Sequence, residues 1–392
     1  MMFMKCLSVG YFPDILKYEF ITFKRNENPK IAGEISMDNF DVVSVSPVLS
    51  SILEKLIQSK LIRREFQNQF SYDRRFDCVK LLIHSLKHGL QANSTTLMIG
   101  LDLSNVINCI PTEMILNILE EVNEEYILSI IKSYLTNRRY FYKDFPYIEV
   151  DLNSRAPKSS ILWWELEKIL VNEFINLLQN YGAAIAYDKS IYILIQGTMQ
   201  DNNYSHLEQK AERAYKDIKD YLYKHGSISE IKWEFLHFIN KGTKNPLKFL
   251  TINGVTEEET NIKICGVTFD SELEFGPHVL DICNHIKMNI IHKFPRHSGN
   301  EKEFFEFLQR DIFHFFEEYP DILWKGFHSS KSKVKKVFRK LLRSIKQTVK
   351  LIPGDLKLKH EAIENLEKTE KFLHHSYCTY DSKLRAIPMD EL

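Results

Sequence analysis

Two acidic residues stand next to strongly apolar segments of the chain, where they could hold a divalent cation. Asp102 follows the apolar segment "LMIGL", and Asp188 comes just before "IYILIQG". Carboxylate oxygens are the ligands that Mg²⁺ prefers in proteins. Lys189 directly follows Asp188, however, and its ammonium group would repel a cation. The segment Asp188–Ser190 therefore has three interpretations: a metal-binding turn, a turn that has lost its ligands, or an ordinary hairpin.

A second candidate for chemistry is a basic stretch near the carboxyl end. From Lys325 to Lys350 there are ten Lys or Arg residues and no acidic residue. Such a stretch could bind a phosphate backbone, and the usual alternative is a helix face in contact with solvent. The side chains that would make the phosphate contacts are Lys331, Lys333, Lys335, Lys336, Arg339, Lys340 and Arg343.

Composition limits the class of protein. The 392 residues carry 52 basic and 52 acidic side chains, so net charge by itself points to neither nucleic acid nor membrane. Six scattered cysteines without a CxxC pair fit reduced thiols better than a disulfide framework. No segment is long and apolar enough to cross a membrane, and no secretory signal opens the chain. We expect an intracellular protein, nuclear or cytoplasmic, with no membrane partner and no small-molecule cofactor.

Hydrophobic periodicity predicts the elements that position these residues. Helices are expected over 47–62, 77–90 and 206–226. The segment 94–104 has an apolar centre typical of a buried strand, and this strand is expected to end at Asp102. A second buried strand follows Ser190, and short strands follow the long helix. Strands and helices alternate without a regular βαβ order, which indicates an α+β fold with a helical C-terminal region.

Several motifs, in one order, resemble the reverse transcriptases of non-LTR, jockey-like retrotransposons. "VVSVSPVLSSILEKLI" resembles that family's "YRPISLLPVLSKILEKLI", and "LDLSNVINCIP" resembles its motif A, "LDLSKAFDSVP". "APKSSIL" is similar to "VPQGSIL", and "AYDKS" stands where the family has "YADD". "IKWEFLHF" and "IKICGVTFDSELEFGPHV" resemble the segments that follow. The resemblance covers about 350 residues, and the family's endonuclease domain has no counterpart in them.

The resemblance implies a right-hand polymerase fold. It places a fingers-like region at 1–95, a palm-like core at 96–290 and a helical, basic, thumb-like region at 291–360, and it leaves 361–392 unassigned. The implied activity is RNA-directed DNA polymerisation, with Mg²⁺ as the cofactor if the protein is active. Asp102 stands at the motif A aspartate, the metal ligand that would remain, and Lys232 stands at a lysine of the palm.

The chain departs from the family mainly where catalysis needs particular side chains. Lys189 and Ser190 replace the two carboxylates of "YADD", and Asp188 could substitute for them only through a shift of one residue. Lys158 replaces the glutamine of "PQGS", and the basic loop of the fingers is reduced to Arg74 and Arg75. Trp163 and Trp164 replace a Gly-Pro pair and are expected in the core.

The retained residues are mostly those that a fold needs, and the lost ones are mostly those that catalysis needs. This contrast predicts a retrotransposon-derived, reverse-transcriptase-like protein that has lost most or all of its polymerase activity. Two alternatives stay open: residual polymerase activity through relocated ligands, and a non-enzymatic scaffold that binds RNA or DNA through the basic segment.

Overall fold

The computed structural model describes residues 2–25, 40–61, 66, 68–90, 94–108, 110–120, 124–143, 149–150, 160–198, 205–225, 231–238, 251–252, 255–256, 261–293, 333–351, 357 and 359–368. Its helices are α1 (Met2–Val9), α2 (Val48–Lys60), α3 (Arg75–Gly89), α4 (Ser104–Asn108), α5 (Thr112–Glu120), α6 (Glu125–Leu135), α7 (Ile161–Leu178), α8 (Ser205–Lys224), α9 (Gly276–Lys293) and α10 (Lys333–Leu351). Its strands are β1 (Tyr18–Arg25), β2 (Phe40–Val45), β3 (Gln69–Phe70), β4 (Ser94–Asp102), β5 (Arg139–Tyr142), β6 (Glu149–Val150), β7 (Ala183–Tyr187), β8 (Ser190–Thr198), β9 (Lys232–Phe238), β10 (Thr251–Ile252), β11 (Val255–Thr256), β12 (Asn261–Ile264) and β13 (Val267–Asp270).

The chain divides into two compact units. The first unit comprises Met1–Tyr72, Ile99–Ile195 and Ser205–Glu234, and the second comprises Asp73–Met98, Gln196–Tyr204 and Phe235–Leu392.

A four-stranded sheet in the first unit has the order β2-β1-β5-β6. Strand β1 pairs antiparallel with β2 and parallel with β5, so Tyr18 lies opposite Arg139. An ion pair between the side chains of Glu19 and Arg138 is buried beside this sheet. A buried charge is tolerated only when it is paired, so this contact ties β1 to the segment between α6 and β5.

Helices α2 and α7 of the first unit pack against each other through a buried polar cluster. Ser160 precedes α7, and its hydroxyl oxygen accepts a hydrogen bond from the backbone N–H of Trp163 at 3.1 Å, which caps the helix. The same hydroxyl donates to Glu54 of α2 at 2.6 Å and accepts from Tyr134. These hydrogen bonds fix where α7 begins, and α7 supplies a residue to the candidate site.

A five-stranded sheet, in the order β3-β7-β8-β4-β9, carries the candidate site. In β8 the residues from Ile191 to Ile195 are all buried, which confirms the buried strand expected there. Gly182, just before β7, lies against the backbone of β8, because an added Cβ would stand 2.2 Å from the carbonyl oxygen of Leu194. Only glycine permits this close approach.

In the second unit, α9 packs against both β13 and α10. Strands β12 and β13 form a hairpin in which Ile264 lies opposite Val267. Leu342, Ile345 and Val349 of α10 are buried, so this helix has one apolar, covered face.

The mixture of helices and strands agrees with the expected α+β class. Helix α2 confirms the helix expected over 47–62, and α3 begins two residues earlier than expected, at Arg75. The expectation for the tryptophan pair is half wrong: Trp163 is buried, but Trp164 is 56% exposed because it lies on the outer face of α7. In the described part of the chain, no helix is long and apolar enough to cross a bilayer.

Candidate functional site

The turn between β7 and β8 is held by main-chain hydrogen bonds from two other elements. Tyr187 pairs with Ser190, so Asp188 and Lys189 form a two-residue turn. The N–H of Asp188 donates to the carbonyl of Phe70 at 3.0 Å, and the carbonyl of Lys189 accepts from the N–H of Leu103 at 3.0 Å. Asp188 has a φ of 52°, a conformation in which Asp is tolerated better than most residues. The turn's shape therefore depends on its backbone and little on its side chains.

The Lys189 side chain is neutralised by a carboxylate on α7. Its Nζ lies 2.7 Å from Oε1 of Glu167, and the two side chains are 24% and 12% exposed. The indole Nε1 of Trp163 donates to the same oxygen at 2.5 Å. Glu167 is thus held by two donors, and the Lys189 cation has a fixed partner.

An open cleft of about 220 Å³ lies over three neighbouring strands of the five-stranded sheet. It is lined by Gly100, Leu101, Asp102, Ser190, Tyr192, Lys232, Trp233 and Glu234. Gly100 forms the centre of its floor, since an added Cβ would lie 3.3 Å from both Tyr192 and Glu234. The structure therefore brings Asp102, Ser190 and Lys232, which are far apart in sequence, to one cleft.

Asp102 also has a local structural role. Its Oδ1 accepts a hydrogen bond at 2.9 Å from the N–H of Ser104, the first residue of α4. An aspartate that precedes a helix commonly satisfies one of the unpaired N–H groups at the helix start. This contact accounts for an acidic residue at the end of β4 even without a metal ion.

The side chains of the cleft do not fit a pair of magnesium ions. Asp102 and Glu234 are the two carboxylates of the lining, one oxygen of Asp102 is already hydrogen-bonded, and Ser190 supplies only a neutral hydroxyl. Lys232 adds a positive charge to the lining, and Asp188 is not among the lining residues. Within the described ranges, no three His, Cys, Asp or Glu side chains converge as a metal-binding group.

The other predicted site residues lie elsewhere. Arg74 forms an ion pair with Asp77 at 3.1 Å, and the guanidinium of Arg75 lies over the ring of Phe76. Lys158 and Lys331 fall outside the described residues, and Lys333 and Lys335 lie on α10 without a described side chain. The remaining four predicted nucleic-acid contacts are exposed along α10: Lys336, Arg339, Lys340 and Arg343.

Three residues of this region were not predicted from the sequence. Glu167 is one of many acidic residues on predicted helices, and nothing local distinguishes it. Tyr192 lies within a predicted buried strand, and its sequence context gives no sign that it lines a cleft. Glu234 could have been found, because it stands at the glutamate of the family's "KTE" segment, two residues after Lys232 and on the same face of β9.

The chain has only distant similarity to known proteins. No protein-family model matches it, and no curated protein matches it. Among solved structures, it is similar to the telomerase of Candida tropicalis, determined in complex with a TWJ fragment of telomeric RNA. The two chains are 12% identical with a TM-score of 0.38, and the match covers 92% of this chain and 65% of the telomerase chain. A likeness at this level supports no argument about the activity.

Proposed function

We propose that the protein derives from a retrotransposon reverse transcriptase and no longer acts as an RNA-directed DNA polymerase. One observation supports this most directly. The turn that resembles "YADD" keeps its main-chain anchors to Phe70 and Leu103, while its side chains are a lysine paired with Glu167 and a neutral serine.

The chemistry explains why these side chains matter. Nucleotide addition uses two divalent cations roughly 4 Å apart, which activate the primer hydroxyl and stabilise the leaving group. Because the two cations repel each other, several carboxylates must surround them. Here the described lining holds two carboxylates, Asp102 and Glu234, beside the ammonium of Lys232, and the turn before Ser190 carries Lys189 in place of an acid.

Primer extension on an RNA template, with Mg²⁺ or Mn²⁺, tests the proposal. We expect no template-dependent incorporation by the full chain. Incorporation that disappears in Asp102→Ala would overturn the proposal and would favour the alternative of relocated ligands. Incorporation that Asp102→Ala leaves unchanged would indicate a contaminating polymerase, and repurification to constant specific activity then decides the question.

A second variant tests whether the missing carboxylates of the turn explain weak binding of divalent cations. Lys189→Asp combined with Ser190→Asp rebuilds the acidic turn beside Asp102. We expect this double variant to bind Mn²⁺ more tightly than the parent, as measured by electron paramagnetic resonance of free Mn²⁺. The matched control is Lys189→Asn with Ser190→Asn, which has similar side-chain volumes and no added negative charge. Equal Mn²⁺ binding by all three proteins would contradict this explanation.

A second function has its own observation in α10. Lys336, Arg339, Lys340 and Arg343 are exposed on one side of this helix while the opposite face is buried, and we call these four residues the basic face. Residues three, four and seven positions apart share one side of a helix. We infer that the basic face binds the phosphate backbone of RNA or DNA without reading its sequence.

Salt dependence tests this binding. For each phosphate contact the slope of log K against log salt is roughly −0.7 to −0.9, so removing four contacts should reduce it by about 3. The test variant changes all four residues of the basic face to Ala, and fluorescence anisotropy follows a labelled RNA. The control changes four exposed cations of α8 to Ala: Lys210, Arg213, Lys216 and Lys224. Equal slopes for the two variants would contradict the proposal.

A further inference from the structure

Two cysteines that are 187 positions apart in sequence meet in the second unit. The Sγ atoms of Cys78 and Cys265 are 3.6 Å apart. Cys78 lies fully buried on α3, whereas Cys265 is partly exposed in the turn between β12 and β13. At this distance the two thiols are close enough to react with each other after a small movement.

The turn conformation makes Cys265 an unusual choice of residue. Cys265 has a φ of 51° and Gly266 a φ of 79°, and the flanking Ile264 and Val267 are paired. Positive φ at both central positions is the pattern of a type I′ hairpin turn, in which Asn, Asp or Gly is preferred at the first position. Cysteine offers the turn no conformational advantage. Its thiol, directed at Cys78, is the property that distinguishes it from the preferred residues.

The surroundings allow the two sulfur atoms to come closer. A disulfide bond is about 2.05 Å long, so the thiols must approach by about 1.5 Å. Cys78 is fixed within α3, but the tip of the hairpin has room, since a Cβ added to Gly266 would have no heavy atom within 4 Å. A small rotation of the Cys265 side chain with a shift of the turn closes this gap.

We propose that Cys78 and Cys265 form an oxidation site that closes into a reversible intramolecular disulfide. With hydrogen peroxide as oxidant, the Cys265 thiolate attacks one peroxide oxygen, breaks the O–O bond and becomes a sulfenic acid as water leaves. Cys78 Sγ then attacks the Cys265 sulfur and a second water leaves. Two thiols lose two electrons and two protons in total, one peroxide is reduced, and a dithiol reductant reverses the change.

The reaction is slow at neutral pH. The hydrogen bond to Cys78 and the burial of the thiol raise the pKa of Cys265, and the charge of Arg75 opposes this only in part. The thiolate is the reactive form, so the oxidation rate should rise about tenfold for each pH unit between pH 7 and pH 9. The site is suited to sustained oxidising conditions rather than to rapid signalling.

The test treats the full chain with hydrogen peroxide and maps its peptides without reduction. We expect one linked peptide that joins Cys78 to Cys265, loss of two free thiols, and a thermal midpoint of unfolding higher by roughly 5 °C, because the bond closes a very long loop. Dithiothreitol should restore all three properties to their starting values.

Two variants distinguish this bond from other oxidation products. Cys265→Asn keeps a residue that the turn favours and should abolish the linked peptide without unfolding the protein. Cys6→Ser, on α1 in the first unit, should leave the linked peptide in place. The proposal is overturned if Cys265 accumulates as sulfinic or sulfonic acid, if it pairs with another cysteine or a second chain, or if it does not react.

Discussion

Two hairpins with two-residue turns, β7–β8 and β12–β13, keep their shapes in different ways. Each has a non-glycine residue with positive φ, Asp188 in one and Cys265 in the other. The first turn is held from outside by hydrogen bonds to Phe70 and Leu103, and the second relies on Gly266 within the turn itself.

This difference bears on how an active site can be lost while a fold is kept. Because main-chain groups hold the first turn, the hairpin should tolerate changes of its side chains, including the loss of acids that the proposed origin requires. In the second hairpin the turn residues decide the backbone conformation, so fewer substitutions are tolerated there. Three predictions test this contrast, and they follow from the largest expected effect to the smallest.

The largest effect is expected from Gly182→Ala at the base of the first hairpin. The new Cβ would stand 2.2 Å from a carbonyl oxygen of β8 that cannot move away. We expect a loss of about 3 kcal/mol in the free energy of unfolding, at the upper end for overpacking. The comparison is Gly266→Ala, where space is open but φ is 79°, with an expected loss of about 1 to 2 kcal/mol. Urea denaturation measures both, and a larger loss for Gly266→Ala would show that the backbone conformation of the second turn matters more than the close approach at Gly182.

Acid should weaken the support of the second hairpin. His278 of α9 accepts a hydrogen bond through Nδ1 from the N–H of Thr268 on β13 at 3.3 Å, and burial lowers the pKa of His278 to about 4. The unfolded chain has the higher pKa, about 6.5, and therefore binds the extra proton first as the pH falls. The neutral, buried His278 therefore contributes its full stability above pH 6.5. This contribution is lost as the pH falls towards 4, and the free energy of unfolding is lower by about 2 to 3 kcal/mol at pH 4.5.

Denaturation at pH 7 and pH 4.5 measures this loss. In His278→Gln, the decrease in the free energy of unfolding between pH 7 and pH 4.5 should be smaller by the contribution of His278. In His285→Gln, at an exposed position of the same helix, the whole decrease should remain. The buried His237, whose pKa burial also lowers to about 4, contributes a separate loss that persists in both variants. An equal loss of stability between pH 7 and pH 4.5 in both variants would show that protonation of His278 does not cause it.

The smallest effect concerns the side chains of the first turn. A double-mutant cycle with Lys189→Met and Glu167→Gln should give a coupling of about 1 kcal/mol, because the pair is largely shielded from solvent. The more exposed pair Lys168–Glu165 on α7 is the control, with an expected coupling below about 0.5 kcal/mol. Coupling of several kcal/mol at Lys189 would mean that the turn depends on its side chains after all.

Local patterns predicted much of the secondary structure. The apolar spacing that predicts α2, α8 and the buried strands β4 and β8 is a property of neighbouring residues, and those elements are present. The pairing of β1 with β5 was not predicted, because it joins residues about 120 positions apart and leaves no local signal. Trp164 was misassigned because residue type alone does not tell which face of a helix is covered.

The candidate site was predicted only in part. Resemblance selected Asp102, Ser190 and Lys232, and the structure places all three on one cleft, although their roles stay a prediction. The partner of Lys189 and the partner of Cys265 were not predicted. Both contacts join residues of ordinary type that become adjacent only when separate elements pack together.

The amino-acid sequence by itself determined many of the helices and strands and the presence of Lys189 and Ser190 in the turn after β7, since both follow from residue type and local order. Only the tertiary structure decided that Lys189 is neutralised by Glu167, that Asp102 shares a cleft with Lys232, and that Cys78 meets Cys265. The physical reason is distance: charge pairing and thiol chemistry act over a few ångströms, and only folding brings these side chains that close.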